Sequence, residues 1–433
     1  MDISALLLIT SFFLLLMLNV PISISIGLAT LTAMLLNMDS LAAVTTMAQR
    51  MLGGLNSFSL LAIPFFVLSG FIMGSGGMAE RLINFAKVLL GAFPGGLALV
   101  NVLSNMLFGS ISGSAVASTS AVGSFMVPAM KKEGYDKNFS AALTAASATT
   151  GMLIPPSNIL IVYAVACGGI SIGALFMAGY VPGIIMGSAL LILSAIYAKK
   201  NGMQAHGRSS FKEVLHSFME ALPSLLLIFL VIGGIVFGVF TATEAGAIAV
   251  LYALLLSVFF YREIPVIKLP EVLLKSVETT AIVMFLIAAS MAMSWMLAFE
   301  GIPQQISEFL LSLSDNKFVI LLIINILLLL VGAFLDMTPA VLIFTPILLP
   351  VAIDLGMSPL HFGIMLVMNL CIGLCTPPVG NLLFVSCAVA KTSISKLVRP
   401  MIPMYAVMFI ALLLVTYVPE LSESLPRFLG LYK

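Results

Sequence analysis

The chain has 433 residues, of which 61% are hydrophobic and 9% are charged, and its formal net charge is +1. Soluble domains carry about 25% charged residues, so this chain has too few to cover the surface of a soluble protein of its size. Its long continuous apolar segments exclude the alternating pattern of a β-barrel and predict an all-α polytopic membrane protein. Its net charge is too small to indicate a surface that binds nucleic acid.

Apolar runs follow one another along the chain, and most have the roughly 20 residues that one membrane crossing needs. The runs 93–130 and 318–352 are too long for one crossing, and each is interrupted near its middle, at 110–114 and at 336–339. We interpret these two as re-entrant helical hairpins and the other ten as crossings, whose outer faces contact membrane lipid. The runs are 3–19, 20–37, 58–76, 93–130, 137–167, 170–198, 221–241, 244–261, 278–298, 318–352, 360–390 and 400–418.

Double prolines interrupt two of the crossings at matching places. Pro155-Pro156 lies in the run 137–167, and Pro377-Pro378 lies 222 residues later in the run 360–390. Similar offsets separate other residue pairs, so the chain divides into two similar halves. Each half has five crossings and one hairpin. Because five is an odd number of crossings, the second half is inverted in the membrane relative to the first. Inverted repeats with broken helices are typical of secondary transporters. The predicted units are a first repeat 1–198, a linker 199–220, a second repeat 221–418 and a tail 419–433.

Basic residues are concentrated on one side of this topology. Five connections hold 15 of the 19 Lys and Arg residues, and the positive-inside rule places them in the cytoplasm. Both chain termini are then predicted on the opposite side. The five connections are 77–92, 131–138, 199–220, 262–278 and 391–399.

Each double proline removes two backbone N–H donors, so the carbonyls of residues 151–154 and 373–376 are expected to lose their helical partners. The structural alternative is a simple kink. The first hairpin tip is rich in hydroxyls, including Ser110, Ser112 and Ser114. Hydroxyl and carbonyl oxygens suit Na⁺, although small residues also permit close helix packing.

Asp336, in the second tip, is the only ionisable residue predicted deep in the membrane, where it is a cation ligand or a proton carrier. It is also suited to cap the helix that starts at Thr338-Pro339, and the roles can coexist. Because the tips and broken segments contain no Lys, Arg or His, an anionic substrate would have to be held by helix N-termini. The candidate substrate-binding residues are Ser112, Gly113, Ser114, Ser157, Asn158, Thr338, Pro339 and Asn381.

Four segments together resemble the large membrane subunit of tripartite ATP-independent periplasmic (TRAP) transporters, the DctM-like family, over essentially the whole chain. The resemblance implies a sodium-coupled, elevator-type importer of organic acids such as C4-dicarboxylates or sialic acids in the bacterial inner membrane. In that membrane, the side on which the charge distribution places both termini is the periplasm. The resemblance also implies a small four-helix membrane subunit, expected as a separate chain, and a periplasmic substrate-binding protein. The four segments are 63–70, 108–117, Gly151-x-x-Ile-Pro-Pro-Ser157 and Gly373-x-x-Thr-Pro-Pro378.

The same resemblance implies two or more Na⁺ ions and suggests where two of them bind. One site would use the first tip, from Ser110 through Ser112 to Ser114. Its other ligands would be the carbonyls of Gly151, Ile154 and Pro156. The second site would have Asp336 near it, and its ligands would be Gly332, Gly373, Thr376 and Val379.

Other functions remain as alternatives. A proton-coupled or exchange carrier of organic anions would have the same fold and would use Asp336 as its proton carrier. In the predicted topology the first hairpin opens to the cytoplasmic side and the second to the opposite side. Such opposed hairpins argue against a channel with a continuous pore. No nucleophile–base pair or metal cluster is apparent in the sequence, so neither an enzyme nor an organic cofactor is expected.

Overall fold

The computed structural model describes residues 3–203 and 210–432. Residues 204–209 of the predicted linker, Lys433 of the predicted tail and the first two residues lie outside this part of the chain. Within it, every regular element is helical. The predicted all-α class is therefore confirmed.

The chain up to residue 203 forms ten α-helices, and a short 3₁₀ helix, Phe58–Leu61, precedes the fourth of them. They are α1 Ile3–Met17, α2 Ile22–Asn37, α3 Ser40–Leu55, α4 Ala62–Ser75, α5 Met78–Leu90, α6 Gly96–Ser112, α7 Ala115–Lys132, α8 Lys137–Leu153, α9 Asn158–Ala166 and α10 Ile172–Lys200.

Residues 210–432 form ten more α-helices, with a π-helical turn at Leu255–Phe260 and a 3₁₀ turn at Val266–Lys268. They are α11 Phe211–Val236, α12 Ala242–Leu254, α13 Leu269–Phe299, α14 Ile302–Leu313, α15 Lys317–Phe334, α16 Met337–Asp354, α17 Pro359–Gly373, α18 Asn381–Ala390, α19 Ile394–Tyr417 and α20 Glu420–Phe428.

Eight helical segments in the described chain are long and apolar enough to cross a membrane. The pair α8 and α9 is a ninth if it counts as one span, and its two parts are bent by 52°. Several apolar helices, including α2 and α17, are shorter than 18 residues and do not enter this count. The membrane class is confirmed, whereas the number of ten crossings stays a prediction.

Three amphipathic helices, α3, α5 and α14, occupy segments that we expected to be connections. In α5 the buried residues include Met78, Leu82, Ile83 and Ala86, which recur at helical spacing along one face. Such a helix buries an apolar stripe while its other face stays polar. It therefore never produces the continuous apolar run by which we recognised crossings.

The run 93–130 folds into α6 and α7, which are joined by Gly113 and Ser114. Gly113 has a φ of +60°, which favours glycine, and the Ser114 hydroxyl caps α7 by accepting from the Ala117 N–H at 3.2 Å. After α7 the chain returns to the start of α6, because the Tyr135 hydroxyl lies 3.5 Å from the position that a Cβ on Gly95 would occupy. The segment is thus a helical hairpin, and we call Ser112–Ser114 its first tip.

The run 318–352 folds into α15 and α16, which are joined by Leu335 and Asp336. The end of α16 returns toward the start of α15, since the Ser307 hydroxyl on α14 donates to the Asp354 carboxylate at 3.0 Å. This segment is therefore a second hairpin, and we call Leu335–Asp336 the second tip.

Both double prolines interrupt helices. Residues 154–157 separate α8 from α9, and residues 374–380 separate α17 from α18. The Pro155–Pro156 and Pro377–Pro378 bonds are both cis. We call these two interruptions the first and second breaks.

Each hairpin contacts a broken helix through a pair of glycines. A Cβ on Gly151 of α8 would lie 2.4 Å from the Cα of Gly109 on α6. A Cβ on Gly373 of α17 would likewise lie 2.5 Å from the Cα of Gly332 on α15. Because only glycine permits such a close approach, the first helix of each hairpin packs directly against the backbone that precedes a break.

Candidate functional site

Both hairpin tips line one cavity of about 450 Å³, which we call the tip cavity. Its first wall is formed by Ser112–Ala117 and its second by Asp336–Thr338. Asn158 contributes from the start of α9, and α4 and α13 close the remaining sides. Segments more than 200 residues apart in sequence therefore meet at one site.

The predicted substrate-binding residues divide into two groups. The residues that line the tip cavity are Ser112, Gly113, Ser114, Asn158 and Thr338. Ser157, Pro339 and Asn381 are not part of its wall. The Ser157 hydroxyl donates to the Met152 carbonyl, Pro339 is buried within α16, and the Asn381 amide donates to Asp336.

The serines predicted as ligands at and just before the first tip already make hydrogen bonds within the hairpin. The Ser110 hydroxyl donates to the Leu107 carbonyl at 2.8 Å, and the Ser112 hydroxyl donates to the Ser114 carbonyl at 3.4 Å. A hydroxyl that donates its proton keeps its lone pairs for a cation. Ser110 and Ser112 are therefore better suited as ligands than Ser114, whose oxygen already accepts the cap of α7.

At the first break, the prolines deprive the Gly151 and Met152 carbonyls of their helical donors, as expected. The Met152 carbonyl is compensated by the Ser157 hydroxyl, whereas Gly151 lies beside the backbone of Ser110. Ile154 is half-buried at the end of α8. Pro156 instead borders a small pocket on the α11 side, together with Phe66 and Leu227, among others.

At the second break, the carbonyls of residues 373–375 lose their helical donors, as expected, but each accepts a hydrogen bond from another donor. The Gly373 carbonyl accepts from the Thr376 N–H at 2.8 Å, and the Leu374 carbonyl accepts from the Leu382 N–H at 3.2 Å. The Cys375 carbonyl accepts from the Tyr405 hydroxyl at 2.5 Å. The break is wide enough for later residues to fold back, which a count of missing proline donors does not take into account.

The second break is also bonded to the second hairpin. The backbone N–H groups of Val379 and Gly380 point to the Ala333 carbonyl, at 3.2 and 3.5 Å. The Thr376 hydroxyl is turned inward and donates to the Ile372 carbonyl at 2.9 Å. The predicted ligands Gly332, Gly373, Thr376 and Val379 thus lie on two segments in direct backbone contact.

Asp336 occupies the N-cap position of α16, but its side chain makes no capping hydrogen bond. Instead its carboxylate accepts from the Asn381 amide at 2.9 Å, which joins the second tip to the start of α18. It also lines the tip cavity, where it is the only ionisable residue of the described lining. Asp336 is thus held in place by Asn381 and also contributes to the cavity wall.

The sequence patterns did not identify the buried amide groups that join the hairpins to the broken helices. On α6 the Asn101 amide donates to Thr144 of α8 at 2.8 Å, and the Asn105 amide donates to Ser147 at 2.9 Å. On α17 the Asn369 amide donates to Asn325 of α15 at 2.6 Å. The asparagines stand inside apolar runs of the sequence, and buried polar groups require hydrogen-bond partners. Their positions could therefore have indicated that they join helices.

Comparison with known proteins relates this architecture to one family. The sequence profile described as "Tripartite ATP-independent periplasmic transporter, DctM component" matches residues 9–421. An uncharacterised protein of Salmonella typhimurium, YgiK, is 53% identical over 96% of this chain and 95% of its own length.

Two relatives with assigned transport roles are each 40% identical to the chain. One is the C4-dicarboxylate TRAP transporter large permease protein DctM of Rhodobacter capsulatus, and the other is the sialic acid TRAP transporter large permease protein SiaM of Vibrio cholerae. In both cases the match covers 95% of this chain and 96% of the relative.

Among solved structures, the YdaH transporter of Alcanivorax borkumensis is similar with a TM-score of 0.64. The match covers 87% of this chain and 88% of that one, at 14% sequence identity. At this identity the similarity concerns the fold alone.

Proposed function

We propose that this chain, which belongs to the DctM family of tripartite ATP-independent periplasmic transporters, is the large permease of a sodium-coupled importer of organic acids. The substrate class is that of C4-dicarboxylates or sialic acids, which relatives 40% identical to this chain are named for. A periplasmic binding protein delivers the substrate, and a small four-helix subunit completes the membrane part in the bacterial inner membrane.

Three helix N-termini support binding of an anion in the tip cavity. Ala115 begins α7, Asn158 begins α9 and Met337 begins α16, and all three residues line the cavity. A helix N-terminus carries about half a positive charge and unpaired N–H groups, so it binds carboxylates. The described lining contains no Lys, Arg or His, so these termini are the principal source of positive potential in the cavity.

The glycine contacts support a sodium site where each hairpin meets a break. They place hairpin backbone beside break backbone at Gly109–Gly151 and at Gly332–Gly373. Carbonyl and hydroxyl oxygens gathered in this way can ligate a hard cation. A bound cation would add positive charge next to the substrate, and this would couple the two binding events.

The same units support the proposal of an elevator mechanism. Each hairpin packs against both broken helices, so hairpins and breaks form a body that can move with its ligands. We assign 1–198 and 221–418 to two inverted repeats, which accounts for the matched glycine contacts 222 or 223 residues apart. Residues 199–220 join the repeats, and 419–433 form the periplasmic tail.

Sodium coupling is tested in liposomes that contain the chain, its small subunit and its binding protein. Diluting sodium-free vesicles into a sodium buffer gives an inward sodium gradient, which is expected to drive uptake of succinate or N-acetylneuraminate, whereas a proton gradient alone is not. Uptake driven only by the proton gradient would favour the alternative, a proton-coupled carrier. The position of the Asp336 carboxylate in the cavity lining gives that alternative a physical basis.

The orientation makes a separate prediction about two exposed residues at the open ends of the hairpins. A cysteine replacing Glu133 is expected to react with an impermeant thiol reagent only from the cytoplasm, and one replacing Asp354 only from the periplasm. Spheroplasts and inside-out vesicles expose the two faces separately. Labelling of both positions from the same face would refute the opposed arrangement of the hairpins.

A further inference from the structure

A second cavity of about 220 Å³ adjoins the tip cavity. Phe71 and Ser75, one turn apart on α4, line both cavities. On the facing helix α13, Lys275 lines the second cavity, and Thr279, one turn further along, lines the tip cavity. The two cavities are therefore contiguous along α4 and α13, with Phe71 at the boundary between them.

The second cavity is charged, in contrast to the tip cavity. Its wall contains Lys268, Lys275, Glu263 and Glu271. The Glu263 carboxylate is compensated from outside the cavity, because it lies 3.5 Å from the guanidinium of Arg81. With Glu263 offset by Arg81, Glu271 is the one uncompensated carboxylate that faces the two lysines of the described wall.

The two lysines are available to an anion. Within the described residues, no carboxylate lies within the 4.0 Å ion-pair distance of the Lys268 ammonium. The Lys275 ammonium lies 2.8 Å from the Glu271 carboxylate, but the two side chains are 58% and 63% exposed. Such exposed pairs are weak, so a carboxylate ligand can compete with Glu271 for Lys275.

The position of the second cavity fits an exit route. Arg81 and Glu263 belong to the connections 77–92 and 262–278, which carry the basic charge of the predicted cytoplasmic side. Their ion pair joins these two connections at Glu263, which lines the cavity. An anion that moves from the tips past Phe71 therefore meets its first ammonium groups on the way to the cytoplasm.

Resting on the proposed transport of organic acids, we propose that the second cavity is a cytoplasmic anion vestibule. A carboxylate leaves the helix N-termini of the tip cavity, passes Phe71 and is received by Lys268 and Lys275 before it enters the cytoplasm. Ammonium groups that carboxylates balance only in part raise the local concentration of anions, and here the two lysines lower the barrier to release.

The vestibule is tested by thiol labelling, which requires neither a known substrate nor uptake. Ser75→Cys is prepared in a chain whose half-buried Cys167 and Cys387 are replaced by alanine, and inside-out vesicles expose the predicted cytoplasmic face. The probes are the anionic 2-sulfonatoethyl and the cationic 2-(trimethylammonio)ethyl methanethiosulfonates. We expect the anionic reagent to be favoured by about fivefold relative to its reactivity with a free thiol.

Replacing Lys268 and Lys275 together with glutamine is expected to abolish this preference. The matched control replaces Lys212 and Lys396, two exposed lysines on the same predicted side that line neither cavity, and it should leave the preference unchanged. Thr279→Cys provides a second reporter, one turn further from the lysines, and should show a smaller preference.

The outcomes separate this proposal from the proposed function. An anion preference that persists without the two lysines, or its absence at Ser75→Cys, overturns the vestibule even if uptake is driven by sodium. A failure of both reporters to react from this face overturns it as well. A lysine-dependent preference together with sodium-independent uptake supports the vestibule and rejects sodium coupling instead.

Discussion

Replacing Pro377 and Pro378 together with alanine is expected to lower the apparent sodium affinity of uptake by roughly five- to 150-fold, since a lost ligand costs on the order of 1–3 kcal/mol. The new N–H groups at 377 and 378 would lie four residues after Gly373 and Leu374, whose carbonyls now accept from Thr376 and Leu382. Continued helical bonding would withdraw the Gly373 carbonyl from the proposed cation site and straighten the second break.

Two variants define what this result means. Thr376→Ala removes a hydroxyl that donates to the Ile372 carbonyl but leaves the prolines in place, so its effect on sodium activation should be smaller. Pro223→Ala changes a proline inside α11, outside the tip cavity, and controls for the stiffness lost with any proline. The measurement is the sodium dependence of uptake by the reconstituted complex. If the double variant keeps the parental dependence at normal expression, the second break is a structural kink.

The sequence predicted the parts of the fold that depend on local chemistry. The hairpin link at Gly113 and Ser114 follows from a glycine that tolerates positive φ and a serine that caps α7. The breaks follow from the missing N–H groups of two adjacent prolines. These features are determined within a few residues, so they are recognisable without knowledge of tertiary contacts.

The remaining features depend on contacts between distant segments. Phe71 and Thr279 line the tip cavity from α4 and α13, and no local pattern relates two residues about 200 positions apart. The carbonyl of Cys375 finds its donor on Tyr405, a residue of α19. Which polar atoms stay unpaired is therefore decided by packing, and the ligand set of each proposed sodium site remains a prediction.

Asp336→Asn is expected to produce the largest loss among single substitutions at the second tip, roughly ten- to 150-fold in sodium affinity, because interactions with charged groups contribute about 1.5–3 kcal/mol. The variant should still fold. Asparagine can accept the same bond from the Asn381 amide, which is now 2.9 Å from the carboxylate, and it suits the N-cap position as well as aspartate does. The change therefore removes charge while it preserves the geometry.

Two further variants separate the charge of Asp336 from its position. Asn381→Ala removes the hydrogen-bond donor and keeps the carboxylate, so it should weaken sodium activation less than Asp336→Asn does. Asp354→Asn neutralises an acid at the other end of α16, outside the tip cavity, and should leave sodium activation unchanged.

The driving ion decides between the two roles of Asp336. If the carboxylate balances a sodium ion, Asp336→Asn needs more sodium to activate uptake. At saturating sodium, uptake then recovers toward the parental rate, because a weakened site can still be filled by mass action. If the carboxylate carries a proton, no sodium concentration restores uptake, because the amide cannot bind and release a proton at any accessible pH. Parental uptake under both sodium and proton gradients would contradict both roles. The buried acid would then serve only to hold α18 against the second tip through Asn381.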